Sequence, residues 1–329
     1  MKILVVGYGS IGKRHVNNLI KIKNLDILIC TKNKEAEILS KQGIKIFKSI
    51  SESLKEKPEI GIICNETSLH IKTAIRLAKN NCHLFIEKPI SNSLKGLETI
   101  SKLTKKKKLI TMIGCDMRFD KCIKEIKKII EHDELGNILS VQSDNGSYLP
   151  DWHPWEDYRI SYASKNNLGG GVVLTLIHEL DYLYWFFGMV KEVSSMTGKF
   201  SNLEISVEDL AAILLKFKKN FVAEIHLDYF QQPPSRKCKI IGSKGIILWN
   251  SNTNEVKKYS NLKKKWVTKL KNKNYKRNDQ FIDELKYFLK CVTKNKKTIN
   301  SIDDAINTLK ISLAIKKSSL LKKNIQIIT

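Results

Sequence analysis

Proline and glycine are scarce in this chain, which has 6 prolines and 16 glycines among 329 residues. So small a share of either residue excludes a collagen-like or low-complexity polymer. No apolar run approaches the roughly 18 residues of a membrane span, and the apolar residues between Lys2 and Gly7 are too few for a signal peptide. With 42% hydrophobic residues, the sequence predicts a soluble cytoplasmic protein with about two domains of roughly 100–200 residues each.

The usual metal and disulfide patterns are also lacking. The seven cysteines are odd in number and include no CxxC pair, which predicts reduced thiols in the core. The seven histidines never stand at HxH or HxxxH spacing, and the segment at His178 lacks the second histidine of HExxH, so no metal site is expected. The absence of a GxSxG turn argues against a hydrolase of that type.

Acidic residues are few relative to basic ones, at 33 against 58, which gives a formal net charge of +25. This charge raises the possibility of nucleic acid or anionic lipid as a partner. The lysines, however, lie in scattered short runs such as 105–108 and 263–265, without the interleaved aromatic residues of a single-strand stacking platform. We expect neither nucleic acid nor a membrane as a partner, and nucleic-acid binding stays open as the less favoured alternative.

The first third of the chain alternates short β-branched runs with helical patterns, which is typical of a parallel sheet with helices on both faces. The predicted strands are Lys2–Val6, Asp26–Cys30, Lys45–Phe47, Ile60–Cys64, His83–Ile86 and Leu109–Gly114, and the predicted helices are Gly12–Ile22, Lys34–Lys41, Leu69–Lys79 and Leu94–Lys106. The pattern predicts an α/β protein in which residues 1–119 form a doubly wound, dinucleotide-binding domain.

From residue 120 the pattern changes, which predicts a second α/β domain over residues 120–329. Helices are predicted at Lys121–Glu131, Gly171–Phe187, Asp279–Thr293 and Ser301–Lys323, and strands at Glu192–Phe200, Val207–Phe217, Phe221–Tyr229, Lys237–Gly242, Gly245–Trp249 and Glu255–Tyr259. The short spacing of these strands predicts a largely antiparallel sheet.

A GxGxxG motif follows the first predicted strand and runs into the first helix. Gly7 permits the tight turn, Gly9 lets the backbone approach a pyrophosphate, and Gly12 lets the helix pack closely on the strand. No acidic residue ends the second strand to accept a hydrogen bond from the ribose 2′-hydroxyl. Thr31 and Lys32 stand there instead, and they favour NADP while leaving NAD open.

Two further motifs carry residues suited to proton transfer. Glu87-Lys88-Pro89 ends the fifth strand, at the edge of the sheet where ligands bind, and Pro89 is a candidate for a cis peptide. A glycine run, 169–171, leads into an apolar helix where His178 and Asp181 share one face. Lysine and histidine are both suitable general acids or bases for a hydroxyl.

An aromatic loop from Gly146 to Arg159 is the best candidate for binding a substrate. Tryptophan faces stack on the C–H side of a sugar, while basic and acidic side chains bind hydroxyl or anionic groups. The alternative is that these aromatic residues only pack the loop onto its domain. The candidates are Tyr148, Trp152, His153, Trp155, Tyr158 and Arg159, with Arg118 of the DMRF segment expected to face the same cleft.

Taken together, GYGSIGKRH, CNETSLH, CHLFIEKPIS, GCDMRF and GGGVVLTLIHELDYLYWFFG resemble the Gfo/Idh/MocA family over nearly the whole chain, and the aromatic loop is similar to members from surface-polysaccharide and nonulosonic-acid gene clusters. The resemblance implies a Rossmann domain, a C-terminal domain whose open sheet supports a homodimer or homotetramer, and hydride transfer at a carbinol carbon of a sugar or nucleotide-linked sugar. It implies that Lys88 and His178 act at the reacting carbon. The implied cofactor-binding residues are Gly7, Gly9, Ser10, Ile11, Gly12, Thr31, Lys32, Asn65, His70, Glu87 and Lys88, and the implied substrate residues are the loop candidates with Arg118, His178 and Asp181.

One departure from the family concerns the residues before the helix histidine. Members commonly carry aspartate three or four positions earlier, where this chain has Thr175 and Leu174. Threonine is no base. Either Lys88 and His178 suffice for an oxidoreductase of surface-glycan precursor synthesis, or the chain is a dinucleotide-binding sensor or scaffold with impaired catalysis.

Overall fold

The computed structural model describes residues 1–327, and its contacts divide the chain into two units. The first unit is Met1–Cys115 with Asn278–Leu309, and the second is Asp116–Arg277 with the chain from Lys310 onward. The α-helices are α1 (Ser10–Leu19), α2 (Ile50–Ser53), α3 (His70–Lys79), α4 (Leu97–Lys106), α5 (Lys121–Glu131), α6 (Val172–Thr175), α7 (His178–Phe187), α8 (Asp279–Thr293) and α9 (Ile302–Leu321).

The first unit is built on a parallel sheet, which confirms the predicted fold class. Its strands are β1 (Lys2–Val6), β2 (Asp26–Cys30), β3 (Lys45–Phe47), β4 (Ile60–Ile63), β5 (His83–Glu87) and β6 (Thr111–Gly114), in the order β3-β2-β1-β4-β5-β6. β1 and β4 are almost wholly buried, as expected of apolar strands covered on both faces. The order reverses between β1 and β4, and the carboxyl ends beside this reversal are where ligands of such sheets bind.

The second unit carries a mixed sheet of nine strands. These are β7 (Ile138–Gly146), β8 (Val190–Gly198), β9 (Leu210–Phe217), β10 (Val222–Asp228), β11 (Ser235–Gly242), β12 (Gly245–Asn250), β13 (Glu255–Ser260), β14 (Lys265–Lys271) and β15 (Ile325–Gln326), in the order β14-β13-β12-β11-β7-β10-β9-β8-β15. β10 and β7 pair in parallel, while the other neighbours whose register is described pair antiparallel. The predicted open, largely antiparallel sheet is confirmed.

One face of this sheet packs on a core and the other stays open. Inward positions of β9 and β10 are buried, whereas the alternate positions are exposed, as the two-residue period of a strand dictates. The open face, as we name it, carries the exposed apolar side chains Met196, Leu214, Val222 and Leu248. On the buried side, the rings of Phe217 and Phe221 stack at 4.7 Å within a continuous apolar core.

The structure differs from the sequence prediction at several elements. The helix expected over Gly171–Phe187 is two helices, because the backbone at Leu176 leaves the helical region (ψ 34°), a break that the mostly apolar run does not reveal. The segment Lys34–Gln42 is a 3₁₀ helix. β14 was not predicted, because it is exposed on nearly every residue and shows no alternation. The segment Asn278–Leu309 makes its contacts in the first unit, although the predicted boundary at 119/120 assigned it to the second domain.

Candidate functional site

The turn between β1 and α1 forms a cradle of backbone with one open position. Gly7 has φ +97°, and a Cβ there would lie 2.6 Å from the Asn65 nitrogen. A Cβ on Gly12 would lie 2.3 Å from the Gly7 carbonyl oxygen, so both residues must be glycine. At Gly9 the same construction meets nothing within 4 Å, and no side chain caps the helix that begins at Ser10. An exposed glycine before an uncapped helix N-terminus fits the close approach of a pyrophosphate.

A buried polar atom beside this turn adds to the fit. The Asn65 side chain donates to the Thr73 hydroxyl at 3.1 Å, but its Oδ1 is buried and accepts no hydrogen bond within residues 1–327. A buried acceptor without a partner is costly, so a ligand donor such as an amide or hydroxyl suits this position. Together with Gly9, it makes the sheet edge compatible with a dinucleotide.

His70 holds the backbone around this edge rather than pointing a ring nitrogen at a ligand. Its Nδ1 lies 2.9 Å from the Pro89 carbonyl oxygen and its Nε2 lies 2.9 Å from that of Asn65. Burial lowers the pKa of His70, although both carbonyls oppose this shift. The ring therefore fixes two backbone segments, which is a positioning role where direct cofactor contact was expected.

Glu87 is likewise engaged within the protein. Its Oε1 lies 2.6 Å from His15 Nε2, in a pair that is almost fully buried, and its Oε2 accepts from the Lys88 backbone nitrogen at 3.2 Å. The Lys88–Pro89 peptide is cis, as the sequence suggested. These contacts fix the backbone that carries Lys88 at the carboxyl end of β5.

The end of β2 carries the two residues expected to recognise a 2′-phosphate. The Thr31 hydroxyl oxygen accepts from the Asn33 backbone nitrogen at 3.1 Å, so its own proton remains available to a ligand. Lys32 is exposed. Asn33 is not available, because it donates to the Tyr8 carbonyl and caps the 3₁₀ helix at Glu35.

In the second unit, the start of α7 places His178 next to a carboxylate that the sequence did not identify. His178 is 6% exposed, and its Nε2 lies 3.4 Å from Oδ1 of Asp116, which is 2% exposed. The other carboxylate oxygen of Asp116 accepts a hydrogen bond from Arg277. Burial works to lower the pKa of Arg277, yet the charges of Asp116 and Tyr275 leave it raised. The arrangement is a buried imidazole beside a buried carboxylate that an arginine also binds.

Arg118 and Asp181, both expected to contact substrate, bind each other. Two hydrogen bonds of 2.8 Å join the guanidinium to the carboxylate, and the side chains are 1% and 2% exposed. Arg118 also lies over the ring of Trp185, 5.5 Å from its centroid. The pair fixes the DMRF turn to α7, so the structure gives these residues a positioning role.

Glu179, next to the histidine, forms a second buried pair that the sequence analysis missed. It is 0% exposed and accepts from Arg236 Nε at 2.6 Å and from Asn145 at 3.1 Å. Burial opposes the charge of Arg236, but the neighbouring carboxylate of Glu179 keeps its pKa raised. A charged residue in a helix that is apolar over most of its length was the available signal for Glu179. Asp116, Arg236 and Arg277 lie far from α7 in sequence and gave no such signal.

The aromatic loop divides into packed and exposed residues. Trp152 donates to Ser147 at 2.9 Å and meets Tyr229 edge to face, and the Tyr158 hydroxyl accepts from the Glu204 backbone nitrogen at 3.2 Å. Tyr148 packs against the core of its unit. For these three residues the structure favours the packing alternative.

The remaining residues of the loop leave a surface for recognition. Trp155 is 76% exposed and lies 5.3 Å from the His153 ring, whose Nδ1 is buried and bonds to nothing in the described chain. Arg159 is half exposed and pairs with Asp157 and Glu204. Trp155 and His153 are thus the loop residues best placed to meet a ligand.

Two negative findings concern residues 1–327. No helix in this range is long and apolar enough to cross a bilayer. No group of three or more His, Cys, Asp or Glu in this range is arranged to hold a metal ion.

The chain is similar to curated proteins and to solved structures. It is 26% identical to myo-inositol 2-dehydrogenase of Thermotoga maritima, an alignment that covers 99% of this chain and 98% of the relative. It is 28% identical to 2,7-anhydro-N-acetylneuraminate hydratase of Escherichia coli, over 56% of this chain and 50% of the relative. Among solved structures, levoglucosan dehydrogenase in complex with NADH superposes with a TM-score of 0.89 at 17% identity, covering 100% of this chain and 99% of the other.

The family sequence models match both parts of the chain. Residues 1–115 match the oxidoreductase family's NAD-binding Rossmann fold, and residues 127–327 match its C-terminal α/β domain. The glycine cradle at β1 lies within the first of these segments, and the buried His178 within the second. The chain belongs to the Gfo/Idh/MocA oxidoreductase family.

Proposed function

We propose that the protein is an NAD(P)-dependent dehydrogenase or reductase that acts on a carbinol carbon of a sugar or nucleotide-linked sugar. The observation that carries the proposal is the open glycine cradle after β1, with Lys88 at the carboxyl end of β5 in the same sheet. Parallel strands end at the same edge, where dinucleotides bind. The named activities of relatives, inositol and levoglucosan dehydrogenases, support a polyol substrate.

The chain's own residues would bind, orient and move a proton. Gly9 and the uncapped start of α1 would receive the pyrophosphate, and Asn65 Oδ1 would accept a hydrogen bond from the dinucleotide. When bound, the nicotinamide ring supplies the hydride acceptor or donor. Lys88 or His178 would take the hydroxyl proton as the carbinol is oxidised, and return it in the opposite direction.

We further propose NADP as the preferred cofactor and surface-glycan precursor synthesis in the cytoplasm as the setting. The hydroxyl of Thr31 and the exposed ammonium of Lys32 support the cofactor preference. The similarity to 2,7-anhydro-N-acetylneuraminate hydratase supports a role in the metabolism of nonulosonic acids. The apolar residues of the open face support a homodimer or homotetramer.

The test is turnover on a panel of cyclitols, free sugars, nucleotide sugars and nonulosonic acids, followed at 340 nm with NADP⁺ and with NAD⁺. We expect Lys88→Ala to lower kcat about 10²- to 10⁴-fold on the best substrate, which is the range for loss of a general acid–base group. Lys95→Ala, an exposed lysine of the same loop, is the matched control and should keep wild-type kcat. Normal turnover by Lys88→Ala would remove its proposed role. Cofactor binding without turnover on any substrate would favour a sensor or scaffold.

A further inference from the structure

His178 has a carboxylate beside it although the two positions where the family commonly carries one are not acidic. Thr175 is 2% exposed, and its side chain lies near the phenol of Tyr229. Leu174 is buried and apolar. The acidic group facing the imidazole comes instead from the 3₁₀ turn Asp116–Phe119, which follows the first unit's last strand in the chain.

Asp116 is held so that one oxygen serves the histidine. Oδ1 faces His178 Nε2 at 3.4 Å, while Oδ2 accepts from Arg277. An arginine bound to one oxygen favours the charged form of the carboxylate and fixes its orientation. A carboxylate held in this way orients an imidazole and stabilises its protonated form, as in other histidine-dependent sites.

We propose that Asp116 is the positioning residue of His178 and takes the place of the carboxylate that the family usually carries on the helix. The inference rests on the proposed function, in which His178 exchanges a proton with the substrate hydroxyl. Asp116 itself neither gains nor loses the proton. It stabilises the imidazolium that forms when a ring nitrogen takes the hydroxyl proton, and Arg277 holds the carboxylate in place.

The competing explanation is purely structural: the Asp116–Arg277 pair would only hold the DMRF turn in place, without affecting the protonation of His178. The two explanations differ in what the histidine experiences when the charge is removed. Asp116→Asn keeps the shape and loses the charge. Asp120→Asn is the matched control, because Asp120 is a buried carboxylate of the same segment that caps α5 through the Cys122 and Ile123 nitrogens, a task asparagine performs as well.

The first experiment needs no turnover. The titration of the His178 ring is followed by NMR in the full-length wild type, which has both charged neighbours Asp116 and Arg277, and in the full-length variants. An opposite charge within about 4–6 Å typically moves a titration midpoint by one to three pH units. We expect Asp116→Asn to lower the midpoint by about one unit or more, and Asp120→Asn to leave it unchanged. An unchanged midpoint in a folded Asp116→Asn protein would overturn the inference.

The second experiment uses the substrate found for the wild type. We expect Asp116→Asn to lower kcat about 10- to 100-fold, because the imidazolium loses the negative charge that stabilises it, with little change in KM and a shifted pH profile. Thr175→Asp in the Asp116→Asn background returns a carboxylate to the helix and should recover part of kcat. A kcat for Asp116→Asn equal to that of the wild type would overturn the inference.

Two outcomes separate this inference from the proposed function. If the wild type turns over no carbinol, the proposed function fails while the NMR titration still shows whether Asp116 acts on His178. If Asp116→Asn does not fold, the interaction is measured by the titration of the Asp116 carboxyl group instead. His178→Gln removes the positive charge beside this group and should raise the pH at which it titrates. No change in that titration would contradict the coupling.

Discussion

At the scale of single residues, Thr31 and Lys32 are expected to decide between the two nicotinamide cofactors. We expect Lys32→Ala to weaken NADPH binding about tenfold, because a hydrogen bond to a charged group contributes about 1.5 kcal/mol or more, and to leave NADH affinity unchanged. Fluorescence titration with each nucleotide measures both values. Lys41→Ala removes another exposed lysine, at the end of the 3₁₀ helix Lys34–Gln42 that follows, and should change neither. An equal loss of affinity for NADH would contradict the proposed role of Lys32.

Gly12 gives a prediction about stability. Its missing Cβ would lie 2.3 Å from the Gly7 carbonyl oxygen, and backbone atoms cannot move aside as a flexible side chain does. We expect Gly12→Ala to lower the free energy of unfolding by about 1–3 kcal/mol, the usual cost of overpacking, as measured by urea denaturation. A Gly12→Ala protein as stable as the wild type would show that the turn does not pack as described.

Individual residues also show what a sequence can predict. The GxGxxG spacing predicted the cradle, because the motif stands between a predicted strand and a predicted helix and each glycine has a backbone role within that short turn. The Asp116–His178 pair was not predictable in this way, since 62 positions separate the two residues and only the packing of the second unit brings them to 3.4 Å. The same holds for Glu179 and Arg236.

At the scale of elements, β10 carries a pH-dependent contact. His226 Nε2 lies 3.0 Å from Asp228 Oδ2, and this hydrogen bond raises the pKa of His226 against the smaller effect of burial. A histidine whose pKa is raised by folding contributes stability that is fully present below its unfolded-state pKa of about 6.5 and is lost as the pH rises through the folded-state value. We therefore expect the stability advantage of the wild type over His226→Gln to shrink between pH 5.5 and 8.5.

Urea denaturation across that pH range measures the difference. His132→Gln, at an exposed histidine, is the control. The comparison between variants is needed because burial lowers the pKa of His70 and His83. These two residues make the free energy of unfolding of the wild type change with pH in the opposite direction. A His226→Gln difference that stays constant with pH would contradict the assigned contact.

Elements were predicted best where burial alternates or is continuous. Strands β1 to β6 and β8 to β13 were found from their apolar pattern, whereas β14 was missed because an exposed edge strand has no buried face to impose a pattern. The break between α6 and α7 was missed because both helices are buried almost throughout.

At the scale of the whole molecule, the open face predicts self-association. It presents Met196, Leu214, Val222 and Leu248 on one side of the nine-stranded sheet. We expect sedimentation to give a multiple of 37.8 kDa, and Leu214→Lys to shift the protein toward the monomer. This substitution places lysine opposite Glu224, which is favourable within one chain. Leu262→Lys, in the exposed turn after β13, is the control. A wild type that is monomeric at all concentrations would contradict the prediction.

The measurement that tests the central claim most directly is a fluorescence titration of the wild type and of Gly9→Ala with NADPH and with NADH. Gly9 has φ −79° and open space where a Cβ would stand, so alanine fits the folded chain without strain. We predict saturable binding to the wild type and at least about tenfold weaker binding to Gly9→Ala at unchanged thermal stability, because the methyl group occupies the approach of the pyrophosphate. Absence of binding to the wild type, or equal affinity in Gly9→Ala, would contradict a dinucleotide site at this turn.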